Sequence, residues 1–486
     1  MSEYKGITYL RNKLATKQTR VQTRYTYYEM KHVAEDLRIS TPAGLEWFKS
    51  CLGWCGKAVD TLADRLVFRE FKDDNFDLNE IFRMNNPDTL FDSAILSALI
   101  SACCFVYISA DQEGYPRLQV IDGYNATGII DPITGLLKEG YAVLERDENE
   151  LVTREAYFAP GKTEIYSKGK PDPETYTNAA PYPLLVPIIF RPDAVRPFGH
   201  SRISRACMNI VNSAMRTVKR SEISAEFFSY PQKYVLGLDE DAEPLEKWKA
   251  TMSTMMTFSR DENGDIPTIG QFQQQSMAPH LDQIRSFAAL FAGETGLTLD
   301  DLGFVTDNPS SSDAIKASHE NLRLVARKAQ RTFGSGFLNA GYLAACVRDD
   351  FPYQRRQMYL STPVWEPVFE PDAAMLSLIG DGAIKINKAV PGYFNSDNLR
   401  TMTGIDKSDL KLPVQEVAPG AKKQEDENTA TVVQKNILNG AQTQSLLGIM
   451  SQYTGGVITE GQAIKLMSAS IGIDSNEARK ILNGEV

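Results

Sequence analysis

The amino-acid sequence predicts an α+β fold, and three observations support this prediction. Between residues 105 and 190, short runs of β-branched and aromatic residues are divided by turn signals such as Asp131-Pro132-Ile133-Thr134-Gly135, a pattern typical of a meandering antiparallel sheet. Helical periodicity dominates 201–230 and 279–295. The longest helical pattern spans 312–348, and about 35 residues at 1.5 Å each would form a helix of roughly 50 Å.

The composition is that of a globular protein with more than one domain. The chain has 486 residues, of which 42% are hydrophobic and 23% are charged, and its net charge is −10. This balance excludes a generally basic nucleic-acid binder. Local basic faces could still contact DNA, and an acidic passage could let DNA slide without gripping it.

The six cysteines and four histidines are scattered, without a Cys-x-x-Cys pair. We therefore expect reduced, mostly buried thiols in a cytosolic setting, and no metal site. The N-terminus lacks the apolar core of a signal peptide. The apolar stretch 93–110 is interrupted by serines and changes to β-formers near Cys104, which predicts a buried helix followed by a strand rather than a membrane span.

The first 198 residues are predicted to form one α+β part. The basic stretch 13–24 predicts a solvated helix, and the apolar spacing in 44–66 predicts an amphipathic core helix. A further helix is predicted at 89–103. The strands are predicted at 105–109, 118–121, 126–130, 140–144, 151–158, 162–167 and 186–190.

The helix predicted over 201–230 carries a basic face. At 100° per residue its apolar residues fall on one side, and five cations fall within an arc of about 100° on the opposite side. These cations are Arg202, Arg205, Arg216, Lys219 and Arg220. A solvated face, contacts with DNA phosphates and contacts with carboxylates of a neighbouring subunit are all open interpretations.

The segments around the second helix carry no evident catalytic group. Residues 233–278 predict a compact α/β insert, whose calcium-like start at 261–265 lacks the required glycine and bidentate glutamate and is better interpreted as a hairpin turn. The loop 296–311 is acidic and rich in turn residues. After 348, the sequence predicts a proline-bearing strand and short helices up to 413, a polar linker at 414–431 and a small helical module at 432–486.

Motifs of enzymes are absent from the sequence. No phosphate-binding loop, His-Glu-x-x-His, Gly-x-Ser-x-Gly or dinucleotide motif occurs, and Gly334-Ser335-Gly336 lies inside a helical pattern, where it predicts a kink. The sequence thus predicts a protein that is not an enzyme and needs no cofactor. The enzymatic alternative is a metal-dependent nuclease or phosphotransferase of unrecognised class that uses Asp300 and Asp301.

Three stretches, in this order, resemble the portal proteins of tailed double-stranded-DNA bacteriophages, in the branch with siphovirus-type portals. The first is VPIIFRPDAVRPFGHSRISRACMNIVNSAMRTVKRSEISAEFFSYPQKYVLG, similar to the family's strand, Gly-x-Ser and long helix ending in aromatic-x-x-Pro-Gln. The second is GLTLDDLGFVTDNPSSSDAIKASHENLRLVARKAQRTFG, and the third, weaker one is GVITEGQAIKLMSASIGIDSNEARKIL. With the N-terminal part, the resemblance covers most of the chain. One departure is Ala102-Cys103-Cys104, where relatives often have glycine.

The resemblance implies a ring, usually of twelve subunits, at one capsid vertex, with DNA passing through a central channel. The implied parts are a wing (1–198 and 349–413), two stem helices (199–232 and 279–295), a clip (233–278), a tunnel loop (296–311), a wing spine helix (312–348), a linker (414–431) and a crown-like module (432–486). The tunnel-loop candidates for the DNA channel are Asp300, Asp301, Phe304, Val305, Thr306, Asp307 and Asn308. The clip candidates for contact with the terminase and the adaptor are Glu246, Lys247, Trp248, Lys249 and Arg260.

The resemblance also implies the partners. They are further copies of the chain, viral double-stranded DNA bound without sequence preference, the terminase large subunit, a head-completion adaptor, and the major capsid and scaffolding proteins, with no membrane. The implied location is the portal vertex of the virion, and the host bacterial cytoplasm during assembly. A structural alternative is a head protein without a channel.

Overall fold

The computed structural model of the chain divides into two compact units, Met1–Lys407 and Ser408–Val486. The residues that the structure describes are 4–35, 45, 47–229, 233–236, 268–271, 273, 276–304, 317–369, 371, 373–405, 449–450, 453, 458–471 and 478–480. The predicted linker, 414–431, lies outside these residues.

The described helices and strands alternate in the mixed order expected of an α+β fold. The helices are α1 (Gly6–Tyr28), α2 (Trp54–Ala63), α3 (Leu78–Arg83), α4 (Pro87–Ser101), α5 (Arg205–Ser229), α6 (Ala278–Thr295), α7 (Glu320–Arg348), α8 (Ala373–Ala389), α9 (Ser396–Thr403) and, in the second unit, α10 (Glu460–Ile471). Two short 3₁₀ helices span Asp300–Leu302 and Arg355–Met358. The strands are β1 (Phe68–Lys72), β2 (Cys103–Ala110), β3 (Pro116–Asp122), β4 (Ala126–Ile130), β5 (Leu137–Arg146), β6 (Val152–Ala159), β7 (Lys162–Ser167), β8 (Glu174–Thr177), β9 (Leu185–Ile189), β10 (Lys233–Leu236), β11 (Thr268–Gln271) and β12 (Thr362–Trp365).

The predicted antiparallel meander is present, but it is split between two sheets. Strands β4 to β8 pair in chain order as a five-stranded sheet, while β2 lies between β3 and β9 in a three-stranded sheet. All of these pairs are antiparallel, with Phe105 opposite Ile121 on one side and Pro187 on the other. Helix α3 and strand β8 were not predicted, because each is too short to show a clear period.

Helices α4 and α7 form the core of the larger unit with the three-stranded sheet. Phe105, Val106 and Ile108 of β2 are fully buried. The glycines of α7 serve this packing: a Cβ at Gly336 would lie 2.8 Å from Ile188 Cδ1, and one at Gly334 would lie 2.7 Å from Pro363 Cγ. Helix α7 runs without a break through Gly334-Ser335-Gly336, so these residues do not end the helix.

Helix α1 is packed rather than solvated, which corrects the prediction for 13–24. Its Leu10 and Leu14 are buried against Tyr141 and Val143 of β5. Its N-terminus is held by Glu139 of the same strand, whose carboxylate accepts hydrogen bonds from the backbone N–H groups of Lys5 (2.8 Å) and Gly6 (3.0 Å). The distant carboxylate thus satisfies backbone N–H groups that have no partner within the first turn of the helix. Because Glu139 is far away in the chain, the sequence near α1 does not reveal this contact.

The cysteines behave as the sequence predicts. All six are free, and Cys55, Cys104, Cys207 and Cys346 are buried. Burial raises the pKa of the Cys103 thiol to about 12, despite three neighbouring cations that lower it. The buried thiols are therefore structural rather than reactive at neutral pH.

Candidate functional site

The two helices that the sequence singles out, α5 and α6, pack against each other as an antiparallel pair. Ser204, at the start of α5, donates a hydrogen bond to Glu294 at the end of α6 (2.9 Å). Thr217, farther along α5, donates to Gln283 near the start of α6 (3.1 Å). Because the sequence order of the partners reverses between these two contacts, the helices run in opposite directions.

The pair is attached to the rest of the unit through a continuous apolar face. Cys207, Val211 and Ala214 of α5 are buried in the same core as Ala288 and Phe291 of α6. The Phe291 ring also packs against Trp54 of α2, with 5.7 Å between ring centroids. These contacts hold the end of the pair that includes Cys207 and Phe291 against the core of the unit.

Arg202 joins α2, α5 and α6. Its guanidinium is buried and donates from Nη2 to the carbonyl oxygen of Thr295 (2.5 Å), the last residue of α6, and from Nε to the carbonyl oxygen of Ala58 in α2 (3.3 Å). Burial lowers the pKa of Arg202 to about 10, so the side chain still carries its charge at neutral pH.

The predicted basic face of α5 needs correction at two of its five positions. Arg202 precedes the helix, which begins at Arg205 rather than at Ser201, so the helical projection does not apply to it. Lys219 is also buried, and it lines a small cavity together with Phe48 and Ser50. The remaining cations are Arg205, which is exposed, and Arg216 and Arg220, which are half-buried.

The start of the predicted tunnel loop lies against the body of the unit. Gly296 ends α6 with a positive φ of 71°, Leu297 is buried, and Phe304 packs against the main core. Asp301 accepts hydrogen bonds from the backbone N–H (2.8 Å) and the hydroxyl (2.9 Å) of Thr298. The Asp301 N–H in turn donates to the Thr298 hydroxyl (3.2 Å), so these two residues hold the turn that begins the short 3₁₀ helix. Asp300 is exposed.

The other predicted site residues cannot be placed. The tunnel-loop residues Val305, Thr306, Asp307 and Asn308 lie outside the described part of the chain. So do the clip candidates Glu246, Lys247, Trp248, Lys249 and Arg260. Of the insert, the structure describes chiefly the antiparallel pair of β10 and β11, in which Lys233 is opposite Gln271.

The described residues contain neither a metal-binding cluster nor a helix suited to a membrane. They contain no group of three or more His, Cys, Asp or Glu side chains placed to hold a metal ion. None of the described helices combines the length and the apolarity needed to cross a membrane.

Sequence reasoning missed the long-range contacts that fix the helix pair. Arg202 and Thr295 are 93 residues apart in the chain, and Ser204 and Glu294 are 90 apart. A buried arginine at a helix start has the same local pattern as an exposed one, so no signal in one sequence distinguishes them.

The comparisons with known proteins agree on one family. The family model described as phage portal protein, SPP1 Gp6-like, matches residues 7–361. The portal protein of Mycobacterium phage L5 is 21% identical over 342 residues, covering 66% of this chain and 69% of the relative. That of Mycobacterium phage D29 is 21% identical over 343 residues, covering 66% and 70%.

Solved structures give a weaker likeness. A chain of the virion of a native gene transfer agent particle aligns with a TM-score of 0.39 and 12% identity, over 73% of this chain and 90% of that chain. A chain of the neck of the native particle, computed with C12 symmetry, aligns over the same shares with a TM-score of 0.38 and 12% identity.

The match to the family model covers well over half of the chain and includes α5, α6, the loop that follows them and all of α7. Proteins of this family are structural components of the phage particle, so the prediction that the chain is not an enzyme is confirmed. The chain belongs to the SPP1 Gp6-like family of phage portal proteins.

Proposed function

We propose that the chain forms the portal of a tailed phage, a closed ring that acts as the DNA channel at one capsid vertex. The match of residues 7–361 to the portal family carries this proposal. The ring would have the family's usual twelve copies. It would serve genome packaging with the terminase, connection of head and tail through an adaptor, and DNA ejection, while the capsid and scaffolding proteins surround it.

The antiparallel pair of α5 and α6 is proposed as the stem. A channel wall must hold its shape while DNA moves past it, and the buried face of the pair together with the contacts of Arg202 supports such rigidity. In the same proposal, 1–198 and 349–413 form the wing, 312–348 its spine helix, 233–278 the clip and 432–486 a crown-like module.

The loop after α6 is proposed as the tunnel loop. Its first part is fixed by the hydrogen bonds between Thr298 and Asp301 and by the packing of Phe304. The proposal therefore assigns contact with DNA to the remainder of the loop, 305–311. Asp300 and Asp307 would repel phosphate, and this repulsion would let the duplex slide without being held.

The ring is tested by the mass and the shape of the purified full-length chain. Mass photometry and negative-stain images should show closed rings, with a mass near twelve times that of one chain. A protein that stays monomeric at high concentration and at every salt concentration would contradict the portal assignment.

The tunnel-loop assignment is tested by deleting residues 305–308, with deletion of 422–425 in the predicted linker as the matched control. Rings should still form in both variants. The loop deletion should reduce nuclease-protected DNA in assembled capsids by about tenfold or more, because the loop would act on DNA and not on assembly. Equal losses of rings and of packaged DNA would contradict the assignment, since they would indicate a folding defect.

A further inference from the structure

The surface where α1, the loop 191–200 and the start of α5 meet holds a cluster of cations, here called the basic cluster. Its members are Lys17, Arg20, Arg24, Arg196 and Arg205. Burial, followed by the charges of Arg20, Arg196 and Arg205, lowers the pKa of Arg24 to about 10. The Lys17 ammonium lies 5.0 Å from the centroid of the Phe198 ring. This contact joins the cations of α1 to the loop 191–200.

Within the described residues, no salt bridge joins a member of the basic cluster to a carboxylate. Other cations of the same unit do pair, as Arg117 does with Asp111 (2.9 Å) and Arg323 with Glu320 (2.6 Å). The loop's own acid, Asp193, is bonded to His200 (2.6 Å). Arg24 donates to the carbonyl oxygen of Ser101 (3.0 Å), while its buried Nε has no hydrogen-bond partner. Such like charges destabilise the isolated subunit and favour binding of an external anion.

A second cluster on the same unit has the opposite sign. Asp64, at the end of α2, and Asp88 and Asp92, in the first turns of α4, are exposed and are here called the acidic cluster. Burial, followed by the charges of Asp88 and Asp64, raises the pKa of Asp92. Within the described residues these acids also form no salt bridge.

Helix α4 holds the two clusters apart. The acidic cluster lies at its N-terminal end, and Ser101, which accepts from Arg24, is its last residue. From Asp88 to Ser101 the helix rises by roughly 20 Å at 1.5 Å per residue, more than twice the screening length of about 8 Å at physiological salt. The clusters therefore cannot neutralise each other within one chain.

We propose that the basic cluster of one copy of this chain binds the acidic cluster of the next copy. This inference rests on the proposed function, because two different patches that meet in a head-to-tail manner generate a ring when the rotation closes. Opposite charges at the two ends of one rigid helix would set the register between neighbours.

The charges favour a second copy over DNA as the occupant. The chain carries 62 acidic and 52 basic residues, so each subunit repels DNA overall and offers carboxylates in excess. The three acids of the acidic cluster also lie on the same unit as the five cations of the basic cluster. Binding of DNA phosphates by the basic cluster is the other outcome of the experiment below.

The experiment exchanges the charges. One variant carries Arg20→Glu and Arg205→Glu, a second carries Asp88→Arg and Asp92→Arg, and a third combines all four changes. Lys168→Glu with Lys170→Glu is the matched control, because it makes the same change in charge in the exposed turn before β8, where both lysines are paired. Mass photometry measures the fraction of chains in rings, circular dichroism measures folding, and a filter assay measures retention of double-stranded DNA.

Each double reversal should lower the ring fraction by about tenfold or more while the subunit stays folded, and the combined variant should recover most of it. The control should form rings like the original chain. Rings that survive both reversals, or that the combined variant does not restore, overturn the inference. So does a basic reversal that keeps the ring and loses DNA retention, which would assign the cluster to phosphates. An original chain that forms no rings would instead refute the proposed function itself.

Discussion

Arg202 and Thr295 are joined by a hydrogen bond of 2.5 Å from the guanidinium Nη2 to the backbone carbonyl oxygen, inside the protein and at the point where α6 ends. The same guanidinium also donates to the carbonyl oxygen of Ala58. A single side chain thus links the end of α6 to α2.

Replacing Arg202 with alanine should lower the free energy of unfolding by about 2 to 3 kcal/mol, because two buried carbonyl oxygens lose a charged donor. Arg202→Lys should recover only part of the loss, since an ammonium lacks the planar fork that reaches both oxygens. Tryptophan fluorescence during guanidinium unfolding measures the free energy of unfolding, and all four tryptophans lie in the Met1–Lys407 unit.

The control for Arg202 is Arg327→Ala, at an exposed position in α7, with an expected change of less than about 0.5 kcal/mol. A similarly small change for Arg202→Ala would contradict the role of this contact.

Gly199, just before α5, should not tolerate a side chain. Its φ is +74°, and an added Cβ would lie 2.1 Å from the carbonyl oxygen of Phe190. Gly199→Ala should therefore lower the free energy of unfolding by at least about 3 kcal/mol, because the backbone would be strained and the chain after β9 would be displaced. Thermal unfolding at a fixed protein concentration measures the loss.

Gly135 provides the matched control for Gly199. It has the same φ of +74°, but an added Cβ would meet nothing within 4 Å. Gly135→Ala should cost only about 1 to 2 kcal/mol, the penalty of a left-handed backbone for an alanine. Equal costs at the two positions would show that the close approach to Phe190 does not matter.

Local patterns in the sequence were enough to predict most of the sheets. The strand at 126–130 and the strand at 162–167 have the predicted bounds, because β-forming residues and the turn residues that flank them lie within a few neighbouring positions. The same holds for α6, where the prediction of 279–295 differs from the structure by one residue. Periodicity and turn chemistry are properties of the local chain, so one sequence reveals them.

What the sequence did not predict depends on partners far away in the chain. The cations of 13–24 have the pattern of a solvated helix, yet α1 is held by Glu139 and by the apolar side chains of β5. Lys219 was expected on the basic face of α5, but it is buried beside a cavity that Phe48 and Ser50 also line. In each case the local pattern is the same for an exposed and for a covered side chain, and only tertiary packing decides between them.

Glu139 should be essential for the start of α1. Its carboxylate accepts from the backbone of Lys5 and Gly6 and from the Tyr157 hydroxyl (3.0 Å), and its side chain is almost fully buried. Glu139→Gln places an amide N–H₂ against these donors, so we expect the free energy of unfolding to fall by about 1 to 3 kcal/mol. Hydrogen exchange of the amides of residues 5–10 should become faster, because the helix would fray from its N-terminus.

The comparison for Glu139 is Glu145→Gln on the same strand, whose side chain is 59% exposed. That change should leave both the stability and the exchange of α1 as in the original chain. Protection of residues 5–10 that is unchanged in Glu139→Gln would contradict the anchoring of α1.

Lys13 should make the protein more stable as the pH rises above neutral. Its ammonium donates to the carbonyl oxygen of Gly128 (2.6 Å) and lies over the Phe198 ring, and burial, followed by the charges of Lys17 and Lys5, lowers its pKa to about 8. In the unfolded chain a lysine has a pKa near 10.4, so the unfolded state binds more protons than the folded state between about pH 8 and pH 10.4. The contribution of Lys13 to the free energy of unfolding is therefore fully present above that window and is lost as the pH falls through about 8.

The experiment compares the original chain with Lys13→Met at several pH values. The difference in the free energy of unfolding should increase in favour of the original chain from pH 7 to pH 10, whereas the exposed Lys138→Met should show no such trend. A difference for Lys13→Met that stays constant over this range would contradict the lowered pKa.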